Sequence, residues 1–287
     1  MKTRRAFLQE TGTIVLGSML LPSVDISFKR IKNPGIQLYT FRKELLEDAR
    51  GILKQIASLG FRQIESAGST KGAYYGLKPK EMKQVCADLG MTLRSGHVHV
   101  DDKWKQTIDD AVESGQEYMI CSSLPKSGQT TDNYKRAAEN FNKCGEDCKK
   151  VNIKFGYHNH DAEFEAENAR LNDSFGQGKV LYDVLLENTD PSLVHMEMDL
   201  GWVVFAGKDP VDYFNKYPGR FPLWHLKDMD MVKRHSTEFG KGILDIKKML
   251  NNEKKAGMRY IFVEQEEYTN NAYESMKEDM EYLKKLK

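Results

Sequence analysis

Hydrophobic and polar positions along this chain alternate between two kinds of segment. Short apolar runs are followed by longer stretches in which apolar residues recur at the spacing of an amphipathic helix. Gly60, Gly90, Gly115 and Gly257 separate a helical stretch from the next apolar run. Glycine in the left-handed conformation commonly ends a helix at such a boundary. The repeating unit is therefore predicted to be one β-strand followed by one helix.

The pattern predicts eight such units. Strands are expected at 35–41, 61–66, 91–97, 118–122, 153–158, 194–199, 221–227 and 260–264. Helices are expected at 44–59, 79–89, 104–114, 132–151, 179–187, 210–216, 244–256 and 272–286. Eight units in about 255 residues match a single (β/α)₈ TIM barrel of ~250 residues. The alternative is an open doubly wound sheet, but no glycine-rich phosphate-binding sequence follows the first strand.

The N-terminal residues have the composition of an export signal. Arg4 and Arg5 precede an apolar stretch from Thr11 to Val24, which is typical of a twin-arginine leader. This stretch is shorter than the roughly 20 apolar residues that span a bilayer. We therefore divide the chain into a leader at 1–30 and a barrel at 31–287, and expect a periplasmic protein whose mature form has no stable membrane span.

The charge balance argues against nucleic acid as a partner. The 287 residues carry a net charge of +1, and residues 1–24 contribute three basic side chains and one acidic side chain, so the remainder is at −1. A near-neutral surface lacks the basic patch that binds phosphate backbones. A small molecule is the expected partner, and a homo-oligomer is compatible with the sequence.

Three apolar runs in the second half each end in a metal-binding residue type: Asp199, His225 and Glu264. The carboxyl ends of neighbouring barrel strands meet at one rim, so these side chains should converge. An aspartate at a strand end can also simply cap the following turn, and a single histidine in an apolar strand is often a core residue. Together they predict a site with nitrogen and oxygen ligands for one divalent ion.

Other polar residues are expected at the same rim. His158 and His160 follow the fifth strand and alternate onto one face, and one of them is predicted to be a fourth ligand. Lys227 could polarise a carbonyl, act as a base if its pKa were depressed, or simply pair with a carboxylate. Glu266 is a candidate acid or base. Glu197 lies one layer deeper than Asp199 and suits a supporting or ion-pair role.

Aromatic and imidazole side chains on the predicted rim could hold a sugar. Tyr39, His97 and Trp202 are the candidates for substrate contacts, because aromatic rings stack on sugars and exclude water. Each of them alone could equally be ordinary packing.

The assembled pattern resembles the xylose-isomerase-like TIM-barrel family, the sugar phosphate isomerases and epimerases. The resemblance runs over nearly all of the chain after the leader. The segments that carry it are GIQLYTFR at 35–42, GYHNHD at 156–161, MD at 198–199, HLKD at 225–228 and VEQE at 263–266.

The resemblance implies one divalent ion (Mn²⁺, Mg²⁺, Co²⁺ or Zn²⁺) bound by His158, Asp199, His225 and Glu264. It also implies proton abstraction next to the carbonyl of a carbohydrate. Epimerases of this family carry a glutamate where this chain has His158, so His160, Lys227 or Glu266 is expected to move the proton. An isomerase or epimerase is the first expectation, and a lyase or hydrolase of 3-keto-glycosides is the second.

Two further classes fit the sequence less well. An abasic-site endonuclease shares the fold, but it needs three metal ions and a basic surface that this composition does not provide. A sugar-binding barrel without catalysis remains the non-enzymatic alternative. It would hold no metal ion.

Overall fold

The computed structural model describes residues 33–124, 128–167 and 178–286. The leader predicted at 1–30 lies outside these residues, so the export prediction is untested. No helix within the described ranges is long and apolar enough to cross a membrane.

Eight parallel strands close into a barrel, which confirms the predicted fold. They are β1 (Gly35–Gln37), β2 (Gln63–Ser66), β3 (Thr92–Val98), β4 (Tyr118–Cys121), β5 (Lys154–His158), β6 (Val194–Asp199), β7 (Leu223–Leu226) and β10 (Tyr260–Val263). Each strand pairs with its neighbour along the chain, and β10 pairs with both β7 and β1 to complete the cylinder. A small antiparallel hairpin, β8 (Asp228–Asp230) and β9 (His235–Thr237), follows β7.

Helices occupy the connections between the strands. They are α1 (Glu44–Glu47), α2 (Ala49–Leu59), α3 (Pro79–Asp88), α4 (Trp104–Ser114), α5 (Thr131–Lys150), α6 (Leu181–Asn188), α7 (Leu200–Phe205), α8 (Pro210–Lys216), α9 (Ile246–Asn251), α10 (Glu253–Ala256) and α11 (Ala272–Lys285). Apolar side chains on their inner faces pack against the strands and form the main core.

Local hydrogen bonds shorten or divide several predicted elements. The first strand ends at Gln37, whose side chain accepts a hydrogen bond from the Tyr39 amide and starts a 3₁₀ turn at Leu38–Phe41. The helix predicted at 44–59 breaks at Asp48, which caps α2 through the Gly51 amide. The helix predicted at 244–256 begins at Ile246 and breaks at Asn252.

Strand register decides which side chains share the barrel interior. Asp199 pairs with His225, and Glu197 pairs with both Leu223 and His158. On the other side of β7, His225 pairs with Phe262 of β10. Residues directly opposite in register point to the same face of a sheet. The polar residues at the ends of β5, β6, β7 and β10 therefore face one another inside the barrel.

An apolar cluster fills the interior on the amino-terminal side of these polar groups. It consists of Tyr118, Ile120, Leu223 and Phe262. Gly156 makes room for it, because a Cβ at this position would lie 2.6 Å from Ile120 Cδ1 and 2.9 Å from the His195 carbonyl oxygen. The barrel is thus closed at one end and polar at the other.

Candidate metal centre and substrate cavity

Three of the predicted ligands converge at the carboxyl ends of their strands. His225 Nδ1 lies 3.0 Å from Glu264 Oε2 and 3.9 Å from Asp199 Oδ2. One ligand atom from each of Asp199, His225 and Glu264 lies within 4.8 Å of a ligand atom of the other two. Asp199 and His225 are fully buried, and Glu264 is 6% exposed. These three side chains could hold one metal ion.

His158 adds a fourth donor beside this group. Its Nε2 lies 3.9 Å from Asp199 Oδ2. Burial lowers the pKa of His158 well below its ordinary value, and the neighbouring His225 and His97 lower it further. The imidazole is therefore neutral and has a lone pair to offer a cation.

Asp199 performs two tasks with its two oxygen atoms. Oδ1 accepts a hydrogen bond of 3.0 Å from the Trp202 amide and caps α7. Oδ2 is buried, and within the described residues it forms an ion pair with Lys227 Nζ at 3.1 Å rather than a hydrogen bond of good geometry. The capping role and the ligand role, which are alternatives at the level of sequence, are thus compatible.

Lys227 Nζ lies against the same carboxylates. It is 3.1 Å from Asp199 Oδ2, 2.7 Å from Glu264 Oε2 and 2.7 Å from Glu266 Oε1. Burial alone would lower the pKa of this ammonium. The carboxylates, led by Asp199 and Glu264, outweigh burial and raise that pKa well above its ordinary value. The direction favours Lys227 as a proton donor or charge partner over a base.

A cavity of about 660 Å³ opens above these groups. Every predicted substrate contact and every predicted catalytic residue lines it: Tyr39, His97, His160, Trp202, Lys227 and Glu266. The Trp202 ring stands 5.0 Å from Lys227 Nζ, and its centroid is 6.0 Å from that of His160. The structure therefore gathers these six residues around one cavity, which His158 and Glu264 also line, while their roles stay predictions.

Two features of the site are absent from the sequence-based predictions. The first is Glu65 on β2, which is fully buried and lies 2.6 Å from His225 Nε2 through its Oε1. Side chains alternate between the two faces of a strand, so Glu65 must lie on the face opposite to that of its neighbour Ile64. This alternation is the sequence signal that could have revealed Glu65.

The second is the β8–β9 hairpin, which fixes the segment that carries Glu266. Ser236 Oγ accepts hydrogen bonds from the amides of Glu266 and Glu267, at 2.8 and 3.1 Å. His235 belongs to β9 and is half-buried. No apolar run marks so short a hairpin, so only the folded chain reveals it.

Comparison with known proteins agrees with this architecture. The family described as xylose isomerase-like TIM barrel matches residues 53–286. Because the match covers most of the chain, the protein belongs to this family. The family assignment made from the sequence motifs is thereby confirmed.

Individual relatives carry different names. A stretch of 188 residues, 63% of this chain, is 29% identical to an inosose dehydratase of Clostridium tetani and spans about half (56%) of that protein. The structure of a sugar phosphate isomerase/epimerase from Parabacteroides distasonis is 29% identical, with a TM-score of 0.78 over 88% of this chain and 98% of that one.

A more distant structure shares the fold alone. The IOLI protein, whose structure contains a zinc atom, is 12% identical, with a TM-score of 0.65 over 87% of this chain and 95% of its own. These relatives place the chain in an enzyme family and leave its reaction open.

Asp228 anchors the turn that follows Lys227 and gives a direct test of the hairpin. Its Oδ1 accepts from the amides of Met229 and Leu244, and its Oδ2 accepts from those of Gly240 and Gly242. In Asp228→Asn one oxygen becomes an amide nitrogen facing two N–H donors. We expect the free energy of unfolding to fall by about 1–3 kcal/mol, measured by urea denaturation.

Asp230→Asn is the matched control. Asp230 Oδ1 alone accepts from the amides of Val232 and Lys233, so asparagine can keep both bonds. Its stability should stay within about 0.5 kcal/mol of the parent. Equal stability of the two variants would contradict the anchoring role of Asp228.

Proposed function

We propose that this protein is a divalent-metal-dependent enzyme that removes a proton next to the carbonyl group of a carbohydrate. The observation that carries the proposal is the convergence of buried ligand atoms of Asp199, His225 and Glu264 within 4.8 Å of one another, with His158 Nε2 3.9 Å from Asp199 Oδ2. Carboxylates buried together are costly unless cations neutralise them, and a metal ion would share that role with Lys227.

The donor set fits a divalent ion. Two imidazoles and two carboxylates, from His158, Asp199, His225 and Glu264, are the ligands that Zn²⁺, Mn²⁺ and Co²⁺ accept in mixed nitrogen and oxygen sites. When bound, such an ion would act as a Lewis acid and offset the negative charge that develops on the substrate oxygen atoms.

Lys227 and Glu266 are our candidates for proton transfer. Their 2.7 Å contact joins an ammonium and a carboxylate at the edge of the cavity, and the Glu266 side chain is 26% exposed. Glu266 can take the proton from the carbon atom, while Lys227 donates a hydrogen bond to the oxygen that gains charge. His160 lies beyond His158 and can protonate a group that departs.

Elimination is the outcome that this constellation favours. Removal of the proton gives an enolate. The carbonyl then re-forms as the electron pair moves into a double bond to the neighbouring carbon, whose substituent departs with its bonding pair and is protonated. His158 replaces the glutamate that serves as second base in epimerases resembling this chain. The inosose dehydratase relative is also named for loss of water. Isomerisation is the rival, favoured by the name of the Parabacteroides distasonis relative.

The substrate proposed is an uncharged keto-sugar or keto-polyol outside the cytoplasm. Among the described residues lining the cavity, the lysines are Lys103 and Lys227, and Lys227 is already paired with carboxylates. A phosphate group would need more positive charge. The twin-arginine pattern at Arg4 and Arg5 supports periplasmic export as part of the same proposal.

Metal removal tests the metal centre. A protein purified without chelator should contain about one divalent ion per chain by elemental analysis. Chelation should lower its melting temperature, because an ion at 100 times its dissociation constant stabilises the folded state by about 2.7 kcal/mol. If the purified protein contains no metal, and neither chelator nor added Zn²⁺ or Mn²⁺ changes its melting temperature, the result favours the sugar-binding barrel.

A substrate panel in D₂O tests the reaction. We expect the metal-loaded protein to release water from an inosose, or the aglycone from a 3-keto-glycoside, and mass spectrometry should detect these products. A product of unchanged composition carrying one deuterium on carbon would instead establish isomerisation or epimerisation. Absence of both reactions, with metal bound, contradicts the proposal.

Glu266→Gln serves as the variant for this panel. It removes the proton acceptor while leaving the four candidate ligands in place. The rate should fall by about 10²–10⁴, and the metal content should remain that of the parent. Full activity of this variant would remove Glu266 from the proton-transfer role.

Fractionation of cells producing the full chain tests export. Replacement of both Arg4 and Arg5 by lysine should retain the protein in the cytoplasm, although the charge is unchanged, because a twin-arginine leader is recognised by its arginine pair. Lys2→Arg is the matched control and should be exported. Periplasmic recovery of the double variant would refute the leader assignment.

A further inference from the structure

A second layer of ionisable side chains lies beneath the candidate metal centre. Glu65 and Glu197 are fully buried in the barrel interior, on β2 and β6, and His97 on β3 lies beside both. This layer contacts the imidazole nitrogens of His158 and His225 that face away from Asp199. The proposed reaction does not use it.

His225 joins the two layers through its two nitrogen atoms. Nδ1 faces Glu264 Oε2 at 3.0 Å and Asp199 Oδ2 at 3.9 Å, whereas Nε2 faces Glu65 Oε1 at 2.6 Å. A histidine that binds a metal ion does so as a neutral imidazole, with one N–H and one lone pair. A carboxylate below accepts the N–H, so the lone pair at Nδ1 is directed to the centre above.

His158 joins the layers in the opposite sense. Its Nδ1 lies 3.2 Å from Glu197 Oε2, and its Nε2 lies 3.9 Å from Asp199 Oδ2. The same argument places the N–H at Nδ1 and the lone pair at Nε2. The two histidines therefore require opposite tautomers, each set by a different buried carboxylate.

Neighbouring donors hold both carboxylates in place. His97 Nε2 is 2.8 Å from Glu197 Oε2 and 3.4 Å from Glu65 Oε1. Gln37 Nε2 donates a hydrogen bond of 2.8 Å to Glu65 Oε1. The His97 ring also stacks on that of His225, with centroids 5.3 Å apart and planes at 4°. The orientation of the His225 ring is thus fixed from below and from the side.

We propose that Glu65 and Glu197 are positioning residues that hold His225 as the Nε2–H tautomer and His158 as the Nδ1–H tautomer, so that both rings present a lone pair to one cation. A carboxylate that accepts the second N–H of a histidine ligand fixes its tautomer and makes it a better ligand. This inference rests on the metal-binding function proposed above.

The distances favour hydrogen bonds over a second ion in the lower layer. Two ligand atoms that are each 2.0–2.1 Å from one tetrahedral ion lie more than about 3 Å apart. The contacts of Glu65 with His225 and of Glu197 with His97, at 2.6 and 2.8 Å, are shorter and suit direct hydrogen bonds.

Metal affinity of three variants tests the inference. Glu65→Gln and Glu197→Gln preserve side-chain size but replace a carboxyl oxygen with an amide nitrogen, so that each histidine faces an amide. We expect each to bind Zn²⁺ about 10–100 times more weakly in a chelator competition assay. Ser95→Ala is the matched control, because Ser95 is equally buried beside Glu65 and its hydroxyl has no hydrogen-bond partner among the described residues. Its affinity should equal that of the parent.

A tautomer measurement separates positioning from a merely structural effect. ¹⁵N NMR of the histidine-labelled, zinc-loaded protein should show one metal-bound ring protonated at Nε2 and one at Nδ1. The Glu65→Gln variant should lose the Nε2–H signature while its apo form keeps the parent's circular dichroism spectrum. If Glu65→Gln does not fold, Glu197→Gln, which should lose the Nδ1–H signature, decides the question.

The possible outcomes distinguish this inference from the proposed function. The positioning role is overturned if the parent protein binds one ion and the variants bind it as tightly or keep both tautomers. The metal-dependent function then remains intact. Parent protein that binds two ions per chain replaces the hydrogen-bonded layer with a second metal site and also overturns it. Parent protein that binds no ion removes the proposed function and this inference together.

Discussion

Carboxylates enclosed by a barrel must be neutralised by neighbouring groups, because bulk water cannot solvate them. Four of them, Glu65, Glu197, Asp199 and Glu264, lie within this interior. Lys227 and His225 contact most of these carboxylates, and they hold the pKa of Glu264 well below its ordinary value against the opposing effect of burial. Glu197 differs, since burial and the adjacent Glu65 raise its pKa well above the ordinary value. The polar interior is therefore a coupled network rather than a set of independent residues.

The network is arranged in layers along the barrel. An apolar cluster around Phe262 closes the amino-terminal end, the Glu65 and Glu197 layer lies above it, and the candidate metal ligands follow towards the cavity. Groups that would exchange protons with a substrate, such as Glu266, lie outermost. This order keeps water away from the ligand-supporting carboxylates, where hydrogen bonds are strongest, and leaves the reacting groups accessible.

The site also shows why one fold supports several reactions. In the function we propose, a bound cation would promote loss of a proton next to a carbonyl, which isomerisation, epimerisation and elimination have in common. The product would then depend on the groups that surround the substrate. Replacing a carboxylate base with His158 and placing His160 near Trp202 alters those surroundings without changing the barrel. Membership of the family therefore limits the type of reaction more closely than it limits the product.

The sequence by itself determined the barrel and the residues at its functional rim. Repeating strand and helix periods predict eight units, and Asp199, His225 and Glu264 each end an apolar run, so parallel strands must bring them together. Only the tertiary structure revealed Glu65 as a partner of His225, 160 residues away, and the hairpin that supports Glu266. The physical reason is that period and residue type specify which face a side chain occupies, whereas strand register and barrel closure decide which side chains on that face touch.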